Sequence, residues 1–182
     1  DIDRVVILGC GTANYAGEIA KYAIESWARV PVSVELSHEF RYREPVLTNN
    51  TLIVAISQSG ETMDTLMAVR HAREAGCKVL SICNTQGATL ARESDGVIYT
   101  HAGPEVAVAS TKALVAQITA GYLLALFLAA ARQSKSPAEL NALGQELLKM
   151  PAKVSEVLAS LEPMRALAKA LADEPAILFL GR

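Results

Sequence analysis

The chain has 182 residues, about half of them hydrophobic and a fifth charged, a balance that suits one globular domain with an added segment. A net charge of -2 gives no basis for a nucleic-acid or anionic-membrane surface. Cys10, Cys77 and Cys83 form no C-x-x-C pair, which argues against a disulfide framework and for reduced, mostly buried thiols in a cytosolic protein.

The run Arg4 to Gly9 (RVVILG) reads as a buried strand, followed by a turn at Cys10-Gly11-Thr12 and a helix over about 14–28. Residues 32–36 alternate as a second strand. Residues 38–50 carry Pro45, Asn49-Asn50 and the charge cluster Glu39-Phe40-Arg41-Tyr42-Arg43-Glu44, and read as a loop whose cluster packs against a partner subunit. A third strand spans 51–56 and a helix 63–75, stopped by Gly76. A fourth strand, 78–83, runs into Asn84-Thr85-Gln86-Gly87, where Asn84-Thr85 has the small, polar character of a ligand crevice and could equally serve as a plain cap of the strand. A short helix near 88–93 leads to a fifth strand at 96–99.

Between the third strand and its helix lies Ser57-Gln58-Ser59-Gly60-Glu61-Thr62. Hydroxyls, an amide side chain, free backbone N–H groups and the positive end of a helix dipole converge there, as a phosphate requires. No G-x-x-x-x-G-K-[ST] occurs, so neutral donors rather than a lysine would hold the anion, which suits a phosphosugar better than a nucleoside triphosphate. Glu61 reads as a first-turn acid complementing the dipole of the helix that follows it. The same residues could serve as a plain N-cap and turn.

Beyond residue 105 the pattern is helical only: about 105–132, 137–159 and 162–172, with Ser136-Pro137 capping the second of these. Residues 113–131 carry no charge and approach the length of a membrane span. Gln117, Thr119 and Tyr122 interrupt that stretch and Lys112 and Arg132 flank both ends, so a helix buried in a domain or a dimer interface is expected instead. Lys112, beside Ser110-Thr111, could orient a bound ligand, but a structural ion pair is expected of it. Ala176 to Leu180 resembles the first strand and would begin a second copy of the α/β unit. The start at Asp1 and the apolar run to Gly181-Arg182 lead us to expect that both ends were cut from something longer.

Strands alternating with helices predict a three-layer α-β-α sandwich around a five-stranded parallel sheet, flavodoxin-like, followed by C-terminal linking helices. Ligands of such sheets bind beyond the carboxyl ends of the strands. His38, His71 and His101 show no ligand spacing, so neither a metal nor a cofactor is expected.

In chain order, G-C-G-T at 9–12, E-F-R-Y-R at 39–43, S-Q-S-G-E-T at 57–62, I-C-N at 82–84 and E-V-A-V-A-S-T-K at 105–112 resemble the first sugar-isomerase (SIS) subdomain of the glucosamine-6-phosphate synthase family. The resemblance covers essentially the whole chain, and E-F-R-Y-R with V-A-S-T-K is its most specific part. It implies a SIS subdomain over 1–135, a helical linker over 136–174 and the first strand of a second subdomain over 175–182. It implies substrate contacts at Thr12, Ser57, Gln58, Ser59, Thr62, Val108 and Ser110, to fructose 6-phosphate or glucosamine 6-phosphate. Catalytic groups would lie outside these residues, so the chain would bind without turnover. A cytoplasmic homodimer, with a glutaminase domain and a second SIS subdomain in the full-length enzyme of hexosamine and UDP-N-acetylglucosamine biosynthesis, is the implied setting. Ala13 departs from the serine common in the family, which removes one hydroxyl contact.

Two other functions compete. A non-catalytic SIS sensor of a regulator would not be expected to carry E-F-R-Y-R or V-A-S-T-K. A self-contained aldose–ketose phosphate isomerase would need a His–Glu pair at the crevice, and the loops offer none.

Overall fold

The computed structural model describes residues 2–107 and 110–180. The chain divides into two compact units that meet at Asn141 and Ala142. The first is built on five strands: β1 (Arg4–Gly9), β2 (Val32–Leu36), β3 (Thr51–Ser57), β4 (Lys78–Cys83) and β5 (Gly96–Tyr99). They form one sheet in the order β2-β1-β3-β4-β5, and every pairing is parallel. The five-stranded parallel sheet expected from sequence is the one observed.

Parallel strands must be covered on both faces, and residues alternate between the two covers. Val5 and Ile7 of β1, with Val54 and Ile56 of β3, face α1 (Thr12–Ala23) and α5 (Lys112–Ala131). Val6, Leu8, Ile53 and Ala55 face the other way, onto Leu66, Ala68, Val69 and Ala72 of α3 (Met63–Glu74). Small residues let α1 and α5 approach closely, with Ala20 against Gly121. Past α1 the chain makes a π-helical turn, Ile24–Ala28, ending where Arg29 takes a positive φ. The carbonyls left free there are taken up from the end of α5: Arg132 Nε donates to Ala28 O at 2.8 Å and Ser134 Oγ to Trp27 O at 2.6 Å.

Among the described residues, α5 is the one helix long and apolar enough to cross a membrane by length and composition. Ala113, Gln117, Ala120, Gly121, Leu124, Ala125 and Ala129 form its buried stripe, so it serves as a core helix of the sandwich. It begins at Lys112 rather than near 105. The Glu105 carboxylate explains the difference: it accepts from the backbone N–H groups of Thr111, Lys112 and Ala113 at 3.0, 3.2 and 3.3 Å. The carboxylate thus takes up N–H groups at the start of α5 that have no partner within the helix.

The segment around Phe40 differs from the loop expected of it. Ser37–Phe40 forms a short helix, α2, and Phe40 is fully buried in the chain's own core. Arg43 makes a bidentate pair with Glu35, and Arg41 pairs with Asp64 at 3.2 Å. These charges are therefore matched within the chain. Tyr42 is exposed.

After the one-turn α4 (Thr89–Arg92) and α5 comes α6 (Pro137–Leu148), opened by the capping box that Ser136-Pro137 announced. Ser136 N–H donates to Glu139 Oε2 at 2.8 Å and Glu139 N–H donates to Ser136 Oγ at 3.3 Å. The second unit holds α7 (Met150–Ala159) and α8 (Glu162–Ala170), with no buried residue in either. Pro151, at the start of α7, has no N–H to continue a helix, which divides the single helix expected over 137–159. Residues 176–180 make no sheet pairing. Positions 181–182 of the expected second-subdomain strand lie outside the described residues.

Candidate functional site

The sheet order reverses between β1 and β3, and a crevice opens beyond their carboxyl ends. A cavity of about 180 Å³ lies there. Its walls come from the turn after β1 (Cys10, Thr12, Ala13), the turn after β3 (Ser57, Gln58, Ser59, Thr62), and the segment before α5 (Glu105, Ala107, Ser110). Six of the seven residues singled out from sequence are thus brought together: Thr12, Ser57, Gln58, Ser59, Thr62 and Ser110. Val108 lies outside the described residues.

The loop at 57–62 is organised by its own hydroxyls. Gly60 N–H donates to Ser57 Oγ at 3.0 Å, and Glu61 N–H donates to Ser59 Oγ at 3.2 Å. Ser57 Oγ and Thr62 Oγ1 stand 3.4 Å apart. A hydroxyl has one proton to give, so Ser57 and Ser59, each accepting from the backbone, keep theirs for an anion. Gly60 has φ +68°, and a Cβ there would stand 2.6 Å from Ala88 Cβ and 2.7 Å from Cys83 Sγ. Only glycine meets both constraints.

The surroundings of the loop are electrostatically settled. α3 begins immediately after Thr62, so the positive end of its dipole faces the crevice. Asp64, in its first turn, is paired with Arg41, which offsets a charge that would repel a phosphate. Glu61 proves to serve a different helix from the one expected: its Oε1 accepts Thr89 N–H at 2.7 Å, at the start of α4. That backbone hydrogen bond, aided by one from the Thr89 side chain, holds its carboxyl below the usual range.

On the far side, Thr12 Oγ1 and Ser110 Oγ lie 3.0 Å apart, joining positions separated by 98 residues in sequence. Asn84 does more than end β4. Its Oδ1 accepts from Thr100 Oγ1 and Ala102 N–H, and its Nδ2 donates to Gly103 O, fixing the segment that leads from β5 toward Glu105. Among the described residues Lys112 forms no ion pair within bonding distance, contrary to expectation. Its charge helps to keep Glu105 ionised, behind the larger effect of the Thr111 N–H.

Glu105 went unnoticed in the sequence because an acid in an alanine-rich helical pattern reads as surface. Its carboxyl lies below the ordinary 4.5, so its stabilising contribution is complete above that value and disappears as pH falls through the lowered one. We expect the thermal unfolding midpoint to fall as pH is lowered below the ordinary carboxylate range, and Glu105→Gln to reduce that dependence.

Burial raises the thiol pKa of both Cys77 and Cys83, as it does for structural thiols, whereas Cys10 lies on the cavity wall with its Sγ 3.9 Å from His38 Nδ1. Iodoacetamide should therefore label Cys10 in the folded protein and spare the other two until unfolding. Peptide mass mapping checks this, and labelling at Cys77 or Cys83 under native conditions would contradict it.

Fold and site together define a doubly wound α/β domain with a hydroxyl-lined crevice at its switch point. The SIS domain model matches residues 1–127, and the chain belongs to the SIS domain family. It is 61% identical over 181 residues to a glutamine–fructose-6-phosphate aminotransferase (isomerizing) of Leifsonia xyli, and 58% identical to that of Corynebacterium glutamicum. In each case all of this chain is covered but only 29% of the relative. Among solved structures it is similar to the C-terminal domain of glucosamine-fructose-6-phosphate aminotransferase from Francisella tularensis, with TM-score 0.95 and 37% identity. That match covers all of this chain and 51% of the other.

Proposed function

We propose that this chain is the phosphosugar-binding SIS subdomain opening the isomerase half of a glutamine–fructose-6-phosphate aminotransferase. Its ligand is fructose 6-phosphate or glucosamine 6-phosphate. The observation that carries the reading is the convergence of Ser57, Gln58, Ser59 and Thr62 on one cavity with Thr12 and Ser110. The first group supplies neutral donors at the start of α3, where a phosphate dianion is best stabilised without a lysine. The second group faces them across the cavity, where the sugar would lie.

The cavity is suited to holding rather than to proton transfer. Its carboxylate, Glu105, is engaged by three backbone N–H groups and kept ionised, so it makes a poor proton shuttle. Catalytic groups would come from a second SIS subdomain, ammonia from a glutaminase domain, and the whole would act as a cytoplasmic homodimer in the first step of hexosamine synthesis.

Thr62→Val keeps the shape of the side chain and removes its hydroxyl. A hydrogen bond to a charged group contributes about 1.5–3 kcal/mol, so fructose 6-phosphate affinity should fall about 10- to 100-fold. Calorimetric titration of the parent and the variant reads this, and equal affinities would remove Thr62 from the phosphate site.

A further inference from the structure

Gln117 lines the same cavity, from the second turn of α5. It is 2% exposed, and among the described residues its side-chain oxygen has no hydrogen-bond partner. The other buried positions of α5 are alanine, glycine or leucine, so packing alone would call for an apolar residue here. Burying an amide oxygen without a donor is unfavourable, and a well-packed apolar side chain of the same size would avoid that cost. A polar group in this condition beside a cavity is placed to take a donor from whatever occupies the cavity.

The chemistry of that partner follows from the group. A phosphate dianion only accepts hydrogen bonds, so it cannot satisfy a carboxamide oxygen. A sugar hydroxyl can both donate and accept. We propose that the Gln117 carboxamide is a ligand-binding group of this cavity, hydrogen-bonded to a hydroxyl on the sugar portion of a phosphosugar whose phosphate is held at Ser57 to Thr62. The assignment rests on the phosphosugar reading of the site and adds a determinant for the sugar rather than for the anion.

The test compares the parent chain with Gln117→Met, which keeps side-chain length and loses the carboxamide, and with Gln117→Leu should the first variant pack poorly. Three quantities are measured: the unfolding midpoint without ligand, the affinity for inorganic phosphate, and the affinity for fructose 6-phosphate. The expected result is a midpoint equal to or above the parent's, unchanged phosphate affinity, and fructose 6-phosphate affinity about tenfold weaker. Unchanged fructose 6-phosphate affinity in the variants would overturn the assignment while leaving the phosphosugar reading intact. A lowered midpoint with equal weakening of both ligands would also overturn it, since that marks a structural role. If the parent binds neither ligand, the reading beneath the proposal fails and the proposal with it.

Discussion

Gly60→Ala should both destabilise the domain and dismantle the phosphate loop. Its φ of +68° puts an L-residue in the left-handed region, at about 1–2 kcal/mol. The added methyl would also meet Ala88 Cβ and Cys83 Sγ well inside contact distance, and overpacking of this kind typically costs about 1–3 kcal/mol. Neither neighbour is the free end of a flexible side chain, so relief must come from shifting the loop against β4 and the start of α4. The shift would break the Gly60 N–H bond to Ser57 Oγ and misplace that hydroxyl. A total of about 2–5 kcal/mol is expected from denaturant unfolding, together with loss of measurable fructose 6-phosphate binding. Gly87→Ala is the control: its φ is +70° but nothing lies near the added methyl, so it should show the smaller, conformational part alone.

The second large effect is expected at Phe40. Its ring is fully buried among Val6, Leu8, Ile53 and Leu66, edge-on to His71 at 6.2 Å, with the Arg43 guanidinium 5.7 Å from its centroid. Truncation of a buried phenylalanine to alanine costs about 3–5 kcal/mol, a large share of the 5–15 kcal/mol that keeps a typical domain folded. Phe40→Ala should therefore lower the unfolding midpoint sharply, while Tyr42→Ala, at an exposed ring, should leave it nearly unchanged. Equal effects at the two positions would show that the cluster is not divided into a core residue and a surface residue.

The strands and the loop were legible because their signals are local. Apolar runs of strand length ended in small or polar residues at Gly9, Ser57 and Cys83-Asn84, and each end proved to be a carboxyl end facing or flanking the crevice. What escaped the sequence depends on contacts distant along the chain or on a reversal of direction. Residues 105–111 look helical by composition, and only the hydrogen bonds of Glu105 to the Thr111 and Lys112 N–H groups show why α5 starts at Lys112. Phe40 sits in a charged segment and reads as loop, yet the sheet edge gives it a core. Gln117 reads as an interruption in an apolar helix. Its meaning appears only when α5 is laid beside the turns after β1 and β3. Glu61 precedes α3 in sequence and would complement that helix, but the fold of the loop turns its carboxylate to α4.

The phosphate is the part of the ligand on which the account depends. Calorimetric titration of the chain with fructose 6-phosphate and, separately, with unphosphorylated fructose isolates its contribution. Saturable binding of the phosphorylated sugar, with no detectable heat from fructose at the same concentration, is the outcome the geometry at Ser57 to Thr62 requires. Equal binding of both sugars, or no binding of fructose 6-phosphate at millimolar concentration, would contradict it.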